Sequence, residues 1–158
     1  MKKLKIGIFS FTGDEGCVIN FLEILNYKFF DWKDLIDIKF CKALKSKNVL
    51  EDIDVAFVEG AISNKKEVRF IKKVRKNSKK IVAIGTCAID GSPSNHRNFF
   101  DRATKKEIRP IMKKFGHIKK VVPLKKIVKV DAEVPGCPII ENAFIECLEN
   151  YLKEFGVV

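Results

Sequence analysis

Short, strongly apolar segments alternate along this chain with amphipathic ones, and their periods predict its elements. Residues 4–11 (LKIGIFSF) combine alternation with β-branched and aromatic side chains and read as a first strand. Residues 12–16 are turn chemistry, with two glycines and an Asp. Over residues 17–25 the apolar positions Val18, Phe21, Leu22 and Leu25 fall on one face of a helix. Residues 36–41 (IDIKFC) alternate cleanly and predict a second strand. Val55-Ala56-Phe57-Val58 is a continuous apolar run, the pattern of a central strand buried on both faces. Asn64 is placed to cap a helix running to residue 75, with Val68, Ile71 and Val74 on one face. Residues 81–84 form a fourth, wholly apolar strand.

The second half is less regular. Residues 90–96 (DGSPSNH) are an irregular polar loop, and long loops in compact domains are commonly functional. Thr104 is a candidate cap for a helix over residues 105–115, which Pro110 limits or kinks. Residues 121–123 and 127–130 read as short strands. Residues 139–155 read as a closing helix, with Ala143, Ile145, Leu148 and Leu152 available to the core. The order β-α-β-β-α-β-α-β-α predicts an α/β fold: one domain, residues 1–158, built on a doubly wound, mainly parallel, flavodoxin-like sheet.

Composition narrows the class. At 158 residues and 46% hydrophobic, the chain can bury a real core. No apolar run approaches the roughly 20 residues of a membrane span. Met1-Lys2-Lys3 leads into the first strand without a cleavage pattern. The expectation is a cytoplasmic protein with no signal peptide and no transmembrane segment. The net charge of +11 raises nucleic-acid binding. The lysines, however, are spread among apolar residues and no nucleic-acid motif accompanies them, so nucleic acid is not expected as a partner. A basic surface also suits docking to an acidic subunit.

The chemistry lies in the cysteines. Three of the five sit at the carboxyl end of a predicted strand, each behind a glycine-containing turn: Cys17, Cys87 and Cys137. Such ends converge on one edge of a parallel sheet, where open α/β folds place their sites. Three converging soft ligands suit an iron–sulfur cluster. Cys41 and Cys147 lack turn glycines and read as buried thiols. His96 and His117 stand alone and read as structural or solvated. Gly13 and Gly16 leave a different class open, a flavodoxin-like FMN- or nucleotide-binding module. A cluster-free scaffold subunit is a third.

Four blocks carry a resemblance over nearly the whole chain: Asp14-Glu15-Gly16-Cys17, Val58-Glu59-Gly60-Ala61, Ala83-Ile84-Gly85-Thr86-Cys87-Ala88 and Val134-Pro135-Gly136-Cys137-Pro138. They resemble the cluster-binding domain of [NiFe]-hydrogenase small subunits and the 20 kDa subunit of NADH:quinone oxidoreductases. The resemblance implies one proximal-type [4Fe–4S] cluster in an electron-transfer subunit that is not catalytic alone. It implies two partners, a hydrogenase-type large subunit and a further redox subunit. It makes Cys17, Cys87 and Cys137 iron ligands, and places Gly16, Glu59, Thr86, Gly136 and Pro138 against the cluster. Thr86 would offer its hydroxyl to a cluster sulfur. Residues 90–100, with Phe99 and Phe100, would meet the large subunit. No Cys-rich segment follows Cys137, so a second or third cluster is not expected. The sequence departs from the pattern at Asp14, where the family has its first cysteine. Three outcomes stay open there: Asp14 ligates a labile fourth iron, the cluster is [3Fe–4S], or the site is empty.

Overall fold

The computed structural model describes residues 2–158; Met1 lies outside the described residues. The first half runs β1 (Leu4–Ser10), α1 (Gly16–Tyr27), α2 (Phe29–Trp32), β2 (Ile36–Cys41), β3 (Ile53–Glu59), β4 (Ile62–Asn64) and α3 (Lys65–Lys76). The second runs β5 (Ser78–Ile84), α4 (Thr86–Asp90), α5 (Arg102–Lys114), β6 (His117–Val122), β7 (Ala132–Val134) and α6 (Glu141–Glu154). Turns of 3₁₀ helix occupy His96–Phe99 and Leu124–Lys126.

Five strands form the central sheet in the order β2-β1-β3-β5-β7, and every pair is parallel. That is the flavodoxin-like order expected from the sequence. Strand β3 is buried along its whole length, which explains its unbroken apolar run. Its side chains alternate between two cores. Val55 and Phe57 face one, with Ile6, Ile8, Phe21 and Phe144. Ala56 and Val58 face the other, with Phe9, Ile71, Val74 and Ile81. Helices α1 and α6 cover the first face, and α3 covers the second. Of the two buried acids of the strand, Asp54 at its start accepts the Lys5 main-chain N–H at 2.9 Å and pairs with Lys79 at 2.7 Å, while Glu59 closes its other end.

Helix α3 starts where predicted. The Asn64 side chain accepts from the Glu67 N–H at 2.9 Å, and Glu67 returns to Asn64 N, a reciprocal cap. Elsewhere the structure corrects the reading. Helix α5 is capped by Asp101, whose carboxylate accepts the Thr104 N–H at 2.8 Å. Thr104 is therefore inside the helix, and Pro110 sits within it without ending it. Residues 121–123 are not in the main sheet: β6 pairs antiparallel with β4, a strand the sequence did not announce. Residues 127–130 are not a strand. Ile127, Val128 and Val130 pack on the second core from an irregular segment, and pairing with β5 begins only at Ala132.

Asp131 sets that shift. Its N–H donates to Ile81 O at 2.8 Å, and its Oδ2 accepts the Ile81 N–H at 2.8 Å. The same oxygen meets Arg75 Nη1 at 2.6 Å, while Arg75 Nη2 donates to Ser78 O and Lys79 O. One carboxylate thus pins the approach to β7 against β5. Burial alone would raise the Asp131 carboxyl, but the Ile81 N–H and the Arg75 guanidinium outweigh it and hold the group below the usual carboxylate range. A depressed folded-state value stabilises the protein above the unfolded carboxyl range near pH ~3.9, and that contribution fades as pH falls through the folded value. Asp131→Ala is expected to cost about 2 kcal/mol at neutral pH, the loss of charge-assisted hydrogen bonds. Chemical denaturation of both proteins at pH 7 and under acid checks it. The gap should narrow under acid; a gap independent of pH removes the carboxylate from the argument.

Candidate metal centre

The site forms at the carboxyl edge of the sheet, where β1, β3, β5 and β7 end. The segments after β1 and β3 pair with each other: Phe11 N donates to Glu59 O at 2.9 Å, and Thr12 and Ala61 exchange bonds at 3.0 and 2.8 Å. The chain then turns through Glu15, in a left-handed conformation with φ 62°. Asp14 supports this turn by accepting the Gly16 N–H on Oδ1 at 3.0 Å. That bond presents Cys17 in the first turn of α1, with its side chain only 7% exposed.

The other two cysteine turns are braced against each other. Gly85 N donates to Val134 O at 2.8 Å. Gly136 O then accepts two bonds from Thr86, from its N–H at 2.9 Å and from its hydroxyl at 3.0 Å. The Thr86 hydroxyl is therefore committed to the backbone rather than to a cluster sulfur. A third brace joins α1 to the last turn: Asn20 Nδ2 donates to Ile139 O at 2.7 Å. Two glycines are required by contact. At Gly85, with φ +81°, a Cβ would lie 2.4 Å from Cys17 Sγ. At Gly136, with φ +121°, it would lie 2.3 Å from Pro138 O.

The result is one pocket of about 80 Å³. Asp14, Gly16, Cys17, Glu59 and Thr86 line it from the first three strand ends. Cys87, Gly136, Cys137 and Pro138 complete it, so all nine residues singled out in the sequence share one wall. Ile84 and Gly85 also line it and were missed as site residues; the requirement for glycine at position 85 becomes visible only once Cys17 is opposite. Cys41 lines a separate hollow at the end of β2, and Cys147 lies half-buried in α6. His117 Nδ1 lies 3.2 Å from Ser63 O, remote from the pocket lining.

The three thiols grade from inside to outside: Cys17 is buried, Cys87 half-buried and Cys137 exposed. Burial pushes the Cys17 thiol up to about 11, only partly offset by a main-chain hydrogen bond from Ile139. Burial also raises the Glu59 carboxyl; the Ser10 hydroxyl, donating at 3.0 Å, opposes the rise and the Asp14 carboxylate adds to it. Ser94 donates its hydroxyl to Cys87 Sγ at 3.3 Å.

This lining has three thiols and two carboxyl groups, and no Lys, Arg or His. Such a donor set fits a positively charged, thiophilic occupant, since a metal's charge is what makes a buried thiol ionise. Among the described residues, no three His, Cys, Asp or Glu side chains close tightly enough to hold a single ion. The cysteines instead surround a hollow, the arrangement that suits a polynuclear cluster. No helix among the described residues is long and apolar enough to cross a membrane.

Known proteins resemble this chain over most of its length. It is 28% identical over 154 residues to the delta subunit of sulfhydrogenase 2 from Pyrococcus furiosus, covering 95% of this chain and 62% of that protein. It is 30% identical over 140 residues to the gamma subunit of the coenzyme F420 hydrogenase from Methanosarcina barkeri, covering 86% of this chain and 49% of that one. The chain thus spans less than two thirds of the length of these relatives. Among solved structures, a chain of an NAD⁺-reducing [NiFe]-hydrogenase in the H₂-reduced state has the same fold. It matches with a TM-score of 0.80 at 22% identity, over 97% of this chain and 93% of that one. The sequence profile of the NADH ubiquinone oxidoreductase 20 kDa subunit family matches residues 15–151, and the chain belongs to that family.

Proposed function

We propose that this chain holds one iron–sulfur cluster in the pocket at the sheet edge and works as an electron-transfer subunit of a multi-subunit, hydrogenase-type or complex I-type oxidoreductase. The observation that carries this reading is the meeting of Cys17, Cys87 and Cys137, from three separate strand ends, around one small hollow lined by thiols and carboxyl groups with no cationic side chain. Its hydrogenase-subunit relatives support the setting.

When bound, a cluster supplies one-electron transfer. The protein's part is to hold and tune it. Cys17, Cys87 and Cys137 would be its thiolate ligands. Asp14 would supply the fourth position through Oδ2, since Oδ1 already accepts the Gly16 N–H. The Cys17 side excludes water, while the Cys137 side is open. The Ser94 hydroxyl draws charge from Cys87 Sγ, which favours the reduced state. A large subunit would dock over the open side. Phe99, in the turn that follows the Ser94 loop, is 75% exposed, as an interface aromatic would be.

An FMN or nucleotide site is less well supported. Clefts for ligands of that size run from roughly 300 Å³ upward, well above the about 80 Å³ here. The space beside Gly13 is taken by the Glu59 carboxylate, 2.7 Å from where a Cβ would sit, and a carboxylate repels a phosphate.

Protein prepared without oxygen should contain iron and acid-labile sulfide and show the broad brown absorption of a cluster. Cys17→Ser, Cys87→Ser and Cys137→Ser should each lower both counts, whereas Cys41→Ser and Cys147→Ser should leave them unchanged. Resolved twin flavin bands, or full iron retention in all three site variants, would sink the ligand assignment.

Asp14 is tested by Asp14→Asn and Asp14→Cys. Asn keeps the oxygen that accepts the Gly16 N–H, so the turn survives while the anionic ligand is lost. Asn should favour a [3Fe–4S] signal or iron loss, and Cys should give a more firmly held [4Fe–4S] cluster. Electron paramagnetic resonance of the oxidised and reduced forms reads the difference. Identical spectra in wild type, Asn and Cys proteins would make Asp14 a turn residue only.

A further inference from the structure

The lysines that look scattered along the sequence are not scattered in space. Helix α5, strand β6 and the 3₁₀ turn at His96–Phe99 enclose a groove of about 990 Å³, separate from the cysteine pocket. Nine Lys and Arg side chains line it, and no acid does. Arg102, Lys105, Arg109 and Lys113 recur at intervals of three or four residues along α5 and so share one face. Lys119 and Lys120 contribute from β6, and Lys65 from the start of α3.

These cations lack counter-charges. Every ion pair among the described residues lies elsewhere, on Lys5, Lys28, Lys39, Arg75, Lys79, Lys80, Lys125 and Lys129. Two acids adjoin these cations in sequence: Asp101 is committed to capping α5, and Glu107, on α5 itself, neither lines the groove nor forms an ion pair there. Arg97 at the base of the groove is half-buried yet meets no acid. It rests on Ile118 O at 3.0 Å, Ser63 O at 3.2 Å, Lys119 O at 3.4 Å and the Met112 sulfur at 3.7 Å. Burial makes that guanidinium costlier to keep charged.

The groove is not purely ionic. Ile108 and Met112 line it between the cations. Helix α5 buries none of its residues, and Ile111 and the adjoining Phe115 are 58% and 63% exposed. An amphipathic helix normally buries its apolar side. We propose that this groove is the docking site for an acidic, amphipathic segment of a partner polypeptide, its carboxylates meeting the α5 and β6 cations and its apolar side chains meeting Ile108 and Met112. Single-stranded nucleic acid would call for aromatic stacking platforms along a basic groove, and no Phe, Tyr or Trp lines this one. The loop leading to it passes Ser94, which is bonded to Cys87 Sγ, so a segment seated here would sit on the chain that also supports a cysteine of the pocket.

The proposal goes beyond the cluster reading, because binding in the groove needs no iron. The test is fluorescence anisotropy with the full chain and a fluorescein-labelled synthetic helix of Glu, Leu and Ala, beside the same helix with Gln for Glu and a labelled oligothymidylate. The acidic helix should bind saturably and more weakly as salt rises. The combined variant Lys105→Gln, Arg109→Gln and Lys113→Gln should weaken it roughly tenfold or more, on typical values for exposed ion pairs. A control of equal net charge, Lys42→Gln, Lys72→Gln and Lys76→Gln, should bind within about twofold of wild type, as sites outside the contact act independently. Circular dichroism confirms that both variants fold. Equal losses in the groove and control variants, equal binding of the Gln helix, no binding of the acidic helix, or tighter groove-dependent binding of oligothymidylate would each overturn the proposal. None of these outcomes bears on iron content, which the cysteine variants read separately.

Discussion

The carbonyl of Gly136 accepts both the main-chain N–H and the hydroxyl of Thr86, and the shape of the sheet edge follows from that double bond. It fixes the Cys87 turn against the Cys137 turn although 50 residues separate them. Neither turn has a regular partner there: β7 is three residues long and pairs only with β5. Gly85 can close the arrangement only because it lacks a Cβ, which lets Cys17 Sγ approach from the β1 side. Positioning of the three sulfurs thus rests on backbone hydrogen bonds and close backbone approach. These are stiffer than side-chain packing and suit a site whose ligands must not move.

Electrostatics divides the molecule along the same lines. The chain as a whole is strongly basic, yet the cysteine pocket has only acids and thiols as ionisable groups in its wall. Burial keeps Cys17 and Glu59 protonated to higher pH than usual, so the pocket is less anionic than its formula when nothing positive is bound. A metal group would invert that balance and release protons as its ligands ionise. The basic groove is the converse case, since all its cations except Arg97 are exposed to water and need no neutralising for the fold to stand. One region is walled by acids and thiols and the other by cations.

Much of this was legible before the structure. The unbroken apolar run of β3 predicted the centre of the sheet, and Asn64 marked the start of α3. The turn context of Cys17, Cys87 and Cys137 predicted their convergence, because strand ends in a parallel sheet share an edge. What failed depended on partners distant in sequence. Residues 127–130 have the composition of a strand, but Asp131 sets the start of pairing through Ile81 and Arg75. Thr104 resembles a cap as well as Asp101 does, and only the extended backbone at Asp101 decides between them. Thr86 looked free to reach a sulfur until Gly136 O was found beside it. The lysines looked dispersed because helical and strand spacing scatter along the chain what they gather in space.

The inside-to-outside gradient of the thiols gives the site a direction. Cys17, in the first turn of α1, is buried in the core between that helix and the sheet, so that side of the pocket is covered by the protein itself. Cys137 is exposed, and Asp14 and Gly16 lie on the same rim. On the proposed reading, an electron enters or leaves through the Cys137 rim. Position 14 is then more than a count of ligands. A carboxylate there places a hard, exchangeable donor on the wall that faces a partner, where a thiolate would have been a firmer one. On that reading the departure from the family pattern falls at the exposed position 14 rather than at the buried Cys17, and the stiff inner part of the cradle is left intact. It confines any looseness of the site to the surface that docking would cover.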